Sequence, residues 1–167
     1  MIKIGDRVPD ALLTESTTFD EACPIAPGLV SVAEATAGKR VIIFGVPGAY
    51  TPTCSARHLP GYLDNLDAFK AKKVDEIWCV SANDGFVMAA WGRERKALGK
   101  IRMLGDGSTK FARKLGLAVN LSAAGLGTRI RRFSMLVEDG VIKRLNVEPN
   151  PKTFEVSDAE TMLKQLG

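Results

Sequence analysis

Apolar positions along the chain fall into runs, and the period of each run predicts an element. Val41 to Val46 is continuously apolar rather than alternating, which predicts a buried strand. Asp75 to Ala82, carrying Ile77, Trp78, Cys79 and Val80, predicts a second. Between them Leu59, Leu63, Leu66 and Phe69 recur at three- and four-residue spacings, the core-facing stripe of a helix over residues 52–72. Pro60-Gly61 should bend or break it. Asn83-Asp84 is placed to cap a helix from about Gly85 to Leu98, Ile101 to Leu104 reads as a short strand, and Ser108 to Leu115 as a short helix stopped by Gly116. Arg129 to Val137 and Val141 to Val147 alternate on either side of Glu138-Asp139-Gly140, a strong hairpin signal. Ser157 is placed to open a last helix in a capping box with Glu160, with Met162, Leu163 and Leu166 as its apolar side. The first 40 residues are a lead-in rich in Gly, Pro and Thr: extended from Val8-Pro9 through Leu13, and a loop from Cys23 to Gly28. Strand–helix–strand–helix followed by hairpin and helix predicts an α/β fold, a mixed sheet with helices on both faces, the hairpin forming its antiparallel part.

Composition narrows the function classes. With 167 residues the expectation is one domain, 1–167. A net charge of +4 from 23 basic and 19 acidic residues is too mild and too dispersed to argue for nucleic acid. The first residues lack an apolar core of signal-peptide length, and the longest apolar run contains Gly and Pro and is too short for a bilayer, so neither secretion nor a membrane is expected. Three cysteines, Cys23, Cys54 and Cys79, without a CxxC make neither a disulfide framework nor a zinc site. A single histidine, His58, leaves no multi-histidine metal site. A reducing, cytoplasmic setting with a working thiol fits better. Gly125-Leu126-Gly127 and Gly38-Lys39 are fragments of nucleotide-binding patterns without the rest of them. Ser122 to Thr128 reads as a flexible loop of the kind that rims a site or an oligomer contact.

The candidate chemistry gathers where the first buried strand hands over to a helix, in Pro47-Gly48-Ala49-Tyr50-Thr51-Pro52-Thr53-Cys54. Thr51 is placed to cap and Pro52 to take the first helical position, which puts Cys54 in the first turn. There the unpaired N–H groups and the positive end of the helix dipole favour a thiolate, the reactive form of cysteine. The alternative is a small buried apolar residue. A thiolate needs a permanent cation, and arginine supplies one with a two-pronged fork. Arg129, Arg131 and Arg132 lie on the hairpin strand, and Arg132 shares a face with Ile130, Ser134 and Leu136. Arg57, three residues after Cys54, competes for the role. His58, four residues after Cys54, either makes a Cys–His pair for acyl transfer or simply packs and hydrogen-bonds. Cys23, beside its loop, is expected packed rather than accessible, and Cys79 a core residue.

The Pro47–Cys54 stretch resembles the peroxiredoxin motif Pro-x-x-x-Thr-x-x-Cys. Phe44 to Pro52, His58 to Tyr62, Val80 to Asp84, Trp91-Gly92-Arg93, Arg132 to Met135 and Asn146-Val147-Glu148 resemble the atypical, type II subfamily in order, over nearly the whole chain. The resemblance implies a thioredoxin-like fold and a thiol peroxidase for hydrogen peroxide and alkyl hydroperoxides. It assigns Cys54 as the peroxidatic cysteine, Thr51 as the hydroxyl that holds thiolate and peroxide, Pro47 as the shield against water, and Arg132 as the arginine. No cofactor or metal is implied. With no cysteine after Cys79, a one-cysteine cycle is expected, reduced by glutathione or glutaredoxin, with thioredoxin as another candidate partner. The resemblance also implies a homodimer. A CxxC-type disulfide oxidoreductase is disfavoured. A peroxide-sensing switch or chaperone-like oligomer would use the same thiol without turnover.

Overall fold

The two apolar runs lie side by side at the centre of one sheet. The computed structural model describes residues 1–167. The lead-in supplies β1 (Leu12–Glu15), β2 (Thr18–Asp20), β3 (Cys23–Ile25), β4 (Gly28–Ser31) and α1 (Val32–Thr36). Next come β5 (Arg40–Gly45), a π-turn (Cys54–His58), α2 (Leu59–Asp64), α3 (Leu66–Ala71), β6 (Glu76–Ser81), α4 (Gly85–Glu94) and β7 (Arg102–Gly105). After α5 (Lys110–Leu115) come β8 (Ala118–Asn120), β9 (Thr128–Ile130), the hairpin β10 (Phe133–Glu138) and β11 (Val141–Val147), and α6 (Ala159–Leu166).

Seven strands form the main sheet in the order β11-β10-β5-β6-β7-β1-β4. β5, β6 and β7 are parallel, and β10–β11 and β1–β4 flank them antiparallel. Period-2 alternation along the buried strands fills two cores. Val41, Ile43, Trp78 and Val80 face Val32, Phe111 and Leu115 on one side of the sheet. Ile42, Phe44, Ile77 and Cys79 face Leu59, Tyr62, Phe69, Met88, Trp91 and Met162 on the other. This is the mixed-sheet α/β architecture that the order of elements predicts, and the thioredoxin-like fold that the resemblance implies. The Phe133 ring lies over Gly45, its partner on β5, in the space that a Cβ there would occupy.

Several elements depart from the sequence reading, each for a local reason. Cys23-Pro24-Ile25 is not a loop but a short strand paired with Thr18–Asp20, and its Cys23 is exposed rather than packed. The Arg129–Val137 strand is split. Thr128–Ile130 pairs with Ala118–Asn120, the chain changes partner at Arg131-Arg132, and only Phe133 onward joins β5. Alternation continues across that change, so the period does not reveal it. α4 stops at Glu94 rather than Leu98 because Lys96 turns left-handed (φ 59°) and the Ala97 N–H closes onto the Gly92 carbonyl. That is a Schellman stop built on lysine instead of glycine. The last helix is capped by Asp158, whose carboxylate accepts from the Thr161 N–H, because Ser157 is engaged elsewhere. Asp139 (φ 46°) and Gly140 (φ 77°) form the tight β10–β11 turn as the sequence indicates.

Candidate active site

The site is built at the end of β5. The Val46 N–H still pairs with the Val80 carbonyl at 3.0 Å, and the chain then leaves the sheet through Pro47–Thr51. Three side chains pin this turn. The Asn83 carboxamide oxygen accepts from the Ala49 N–H at 3.0 Å and from the Ser81 hydroxyl at 2.7 Å. Arg129 donates Nη1 to the Pro47 carbonyl at 3.1 Å and Nε to the Leu126 carbonyl at 2.8 Å. Thr51 donates its hydroxyl to the Gly48 carbonyl at 2.7 Å. Gly48 leaves the space Arg129 needs, since a Cβ there would lie 2.8 Å from Nη1. Tyr50 takes the left-handed conformation (φ 64°), strain of order 1–3 kcal/mol at the doorstep of the thiol.

Helical conformation begins at Pro52, as expected, and the Ser55 N–H donates to the Thr51 carbonyl at 3.0 Å. Thr51 therefore opens the helix with its backbone. Its hydroxyl turns back to Gly48 instead of capping a helical N–H, a correction to the sequence reading. Pro60 neither breaks nor ends the helix. Its ring needs room at the carbonyl four residues earlier, and the preceding turn widens to a π-turn with the Leu59 N–H bonded to the Cys54 carbonyl. The break comes at Asn65, between α2 and α3. The widened turn buries Cys54, Ser55 and His58 together and leaves Arg57 outside. Trp91 Nε1–H anchors the same turn through the Ser55 hydroxyl at 3.1 Å.

Of the four candidate arginines, Arg132 meets the sulfur. It is 3% exposed and points Nη2 at Cys54 Sγ, 3.3 Å away. Its Nη1 donates to His58 Nδ1 at 3.0 Å. His58 Nε2 lies 3.0 Å from the Ser157 carbonyl, which also accepts from the Tyr62 hydroxyl at 3.0 Å. A carbonyl only accepts and a guanidinium only donates, so the imidazole must carry its hydrogen on Nε2 and offer Nδ1 to Arg132. Burial, and then the charge of Arg132, hold its pKa down to about 3. His58 is thus a neutral prop for the guanidinium, flanked by the Phe44 and Phe154 rings at 4.8 and 5.0 Å, and not the base of a Cys–His pair. Arg57 is exposed over the Phe154 ring at 4.7 Å. Arg131 donates to the Glu148 carbonyl, and Arg129 holds the loop. Pro47 is buried in the turn beside the site.

One donor of the Arg132 fork, Nε, is buried without a partner. Cys79 is buried on β6, in the core cluster that also holds Cys54. Burial, reinforced by neighbouring Cys54, pushes its thiol well above the usual range, so it is a poor nucleophile at neutral pH. The sequence reading missed the contributions of Arg129, Phe154, Ser157 and Glu148. Arg129 is named there only as a candidate partner of the sulfur, Ser157 only as a helix cap and Glu148 only inside the Asn146-Val147-Glu148 block, while Phe154 leaves no trace.

A cysteine sulfur that accepts from a permanently charged, buried donor is placed to act as a nucleophile. The redoxin family profile matches residues 3–163. Peroxiredoxin-2B of Arabidopsis thaliana is 44% identical over 165 residues, covering 99% of this chain and 98% of its own. The chloroplastic peroxiredoxin-2E-2 of rice (Oryza sativa subsp. japonica) is 46% identical, covering 99% of this chain and 72% of its own. Among solved structures, reduced Prx3 from Vibrio vulnificus in complex with hydrogen peroxide is 46% identical, superposes with a TM-score of 0.91 and covers all of both chains. Profile, full-length relatives and superposed fold agree with one another, and on these grounds the chain belongs to the peroxiredoxins, thiol-dependent peroxidases, among relatives of the type II subfamily.

Proposed function

We propose that this peroxiredoxin reduces hydrogen peroxide and alkyl hydroperoxides at Cys54 in a one-cysteine cycle, with glutathione and glutaredoxin as the reductants. The observation that carries this reading is the 3.3 Å approach of Arg132 Nη2 to Cys54 Sγ, together with the unpartnered Nε–H of the same guanidinium. The Cys54 thiolate attacks one oxygen of the peroxide. A sulfur–oxygen bond forms as the oxygen–oxygen bond breaks, and the departing oxygen takes a proton to leave as water or an alcohol. Charge moves from sulfur to that oxygen, so a fixed cation with a spare donor favours the transition state over the ground state. Thr51 contributes an oriented hydroxyl, and Pro47 limits water at the sulfur. Cys54 sulfenic acid then condenses with one glutathione to a mixed disulfide, releasing water. A second glutathione, directly or through glutaredoxin, returns the thiol and leaves glutathione disulfide.

Burial of Cys79 supports the one-cysteine route, since its thiolate is disfavoured. The Vibrio relative, solved with hydrogen peroxide, supports the substrate class. No helix is long and apolar enough to cross a membrane. A homodimer in the cytoplasm completes the reading.

With peroxide, glutathione and glutaredoxin supplied, many equivalents of peroxide are consumed, and Cys54→Ser abolishes this. Cys79→Ser keeps the steady-state rate within about twofold, the scale expected when no transition-state interaction is lost. A Cys54–Cys79 disulfide in peptide mapping would overturn the one-cysteine cycle. Turnover with thioredoxin but not glutaredoxin would overturn the reductant. Consumption of a single equivalent with every reductant would replace the peroxidase by a switch.

A further inference from the structure

Glu148 lies just past the end of β11, is 1% exposed, and its carboxylate makes no salt bridge. Its two oxygens instead take up the next turn of the chain. They accept from the Glu155 N–H at 3.0 Å, the Val156 N–H at 2.9 Å, the Ser157 N–H at 2.8 Å and the Ser157 hydroxyl at 2.7 Å. The Glu148 N–H donates to the Arg132 carbonyl at 3.0 Å, so the residue is tied to the arginine strand at its other end as well. Such a buried carboxylate is costly unless it is hydrogen-bonded, and here one segment supplies four donors, all of them to Oε2 and one shared with Oε1. That segment presents the Ser157 carbonyl to His58 Nε2 and the Phe154 ring against His58 and Arg132.

We propose that Glu148 is a positioning residue for the thiol site: by fixing the Ser157 carbonyl it sets the orientation of His58, and through His58 the aim of Arg132 Nη2 at Cys54. The chain of contacts is continuous: carboxylate to Ser157, carbonyl to Nε2–H, Nδ1 to Nη1, Nη2 to sulfur. Each link is directional. A carbonyl displaced from Nε2 frees the imidazole to rotate or change tautomer, and an Nε2 lone pair in place of Nδ1 leaves Arg132 Nη1 without its acceptor. The aim of the guanidinium then rests on two links fewer. The inference rests on Cys54 being the working thiol of the proposed function, but not on which oxidant it meets.

The test uses the full-length chain and two readouts: the rate of oxidation by hydrogen peroxide, and the rate of iodoacetamide alkylation at pH 7 followed on the Cys54 peptide by mass spectrometry. Glu148→Gln keeps the shape but turns one acceptor into a donor facing donors. It is expected to slow both reactions by about tenfold, the scale of one hydrogen bond to a charged group. In a His58→Phe background the same substitution adds nothing further, because the relay is already cut. A fold-loss equal in the two backgrounds, or no loss in the His58 protein, overturns the proposal, since general loosening does not depend on His58. If Glu148→Gln does not fold, Ser157→Ala, which removes one of the four bonds and keeps the backbone donors, decides: a two- to threefold loss upholds the relay and an unchanged rate rejects it. Fast alkylation with no peroxide reaction in the unsubstituted protein would instead remove the peroxidase reading and leave the relay standing.

Discussion

Arg132→Ala is expected to lower the second-order rate constant of Cys54 with hydrogen peroxide by roughly a hundred- to a thousandfold, the usual loss when one preorganised donor is removed from a developing charge. The substitution takes away the 3.3 Å contact to sulfur, the unpartnered Nε–H, and the only charged donor on His58 Nδ1. Arg132→Lys should recover little, because one ammonium on a flexible stem cannot hold His58 and Cys54 in two fixed directions. Arg57→Ala, removing an exposed guanidinium that lies over Phe154, should change the rate by less than about threefold, as surface contacts of this kind are weak. Stopped-flow tryptophan fluorescence suits the measurement, since Trp91 is hydrogen-bonded to Ser55 beside the reacting cysteine. If Arg57→Ala proves the more damaging of the two, the assignment of the guanidinium is wrong.

Acid should destabilise the protein in two overlapping windows. His58 titrates near 6.5 when unfolded and near 3 when folded, held down by burial and by Arg132. Between those values the unfolded chain binds a proton that the native protein refuses. Stability is therefore complete above pH 6.5 and falls as the pH drops, with a slope approaching about 1.4 kcal/mol per pH unit from this group, until about pH 3. Glu148 acts lower. Burial alone would raise its pKa, but the hydrogen bonds from Ser157, Glu155 and Val156 outweigh burial and bring it to about 2, from 4.5 in the unfolded chain. Its contribution is present above 4.5 and lost as the pH falls toward 2. Melting temperatures of wild type and His58→Phe across pH 3 to 7 check the first window: the variant is less stable at neutral pH yet shows a flatter dependence. Parallel curves would mean that His58 takes up its proton at the same pH in the native and the unfolded chain. Glu148→Gln should flatten the lower window and leave the upper one intact.

These effects trace to different depths of information in the chain. The continuous runs at Val41–Phe44 and Ile77–Val80 could be read directly, because a strand covered on both faces must be apolar at every position. Asp139-Gly140 could be read because few residues tolerate two successive left-handed conformations. Asp84 could be read as a cap, and its carboxylate accepts from the Val87 N–H at 2.8 Å. Cys54 was legible from Pro52, since a proline fixes where a helix can begin and so which residues occupy its first turn. Local rules failed where a residue's best partner is distant in sequence. Ser157 looks like a helix cap but is held by Glu148, and Thr51 looks like a side-chain cap but turns its hydroxyl back to Gly48. The Pro60 signal was real but was expressed upstream, as a wider turn around Cys54 rather than a break.

The sequence by itself determined the buried centre of the sheet, the helix start that exposes a thiol to first-turn N–H groups, and the family motif around it. Periodicity and local sterics act within a few residues, and all three features are local. The tertiary structure alone decided that the Arg132 guanidinium reaches the sulfur, which nitrogen of His58 faces that guanidinium, and which carbonyl holds the imidazole. Those depend on side chains 78, 74 and 99 residues apart meeting within hydrogen-bond distance. Charge and hydrogen bonding fall off within a few ångströms, and only the folded chain sets such distances.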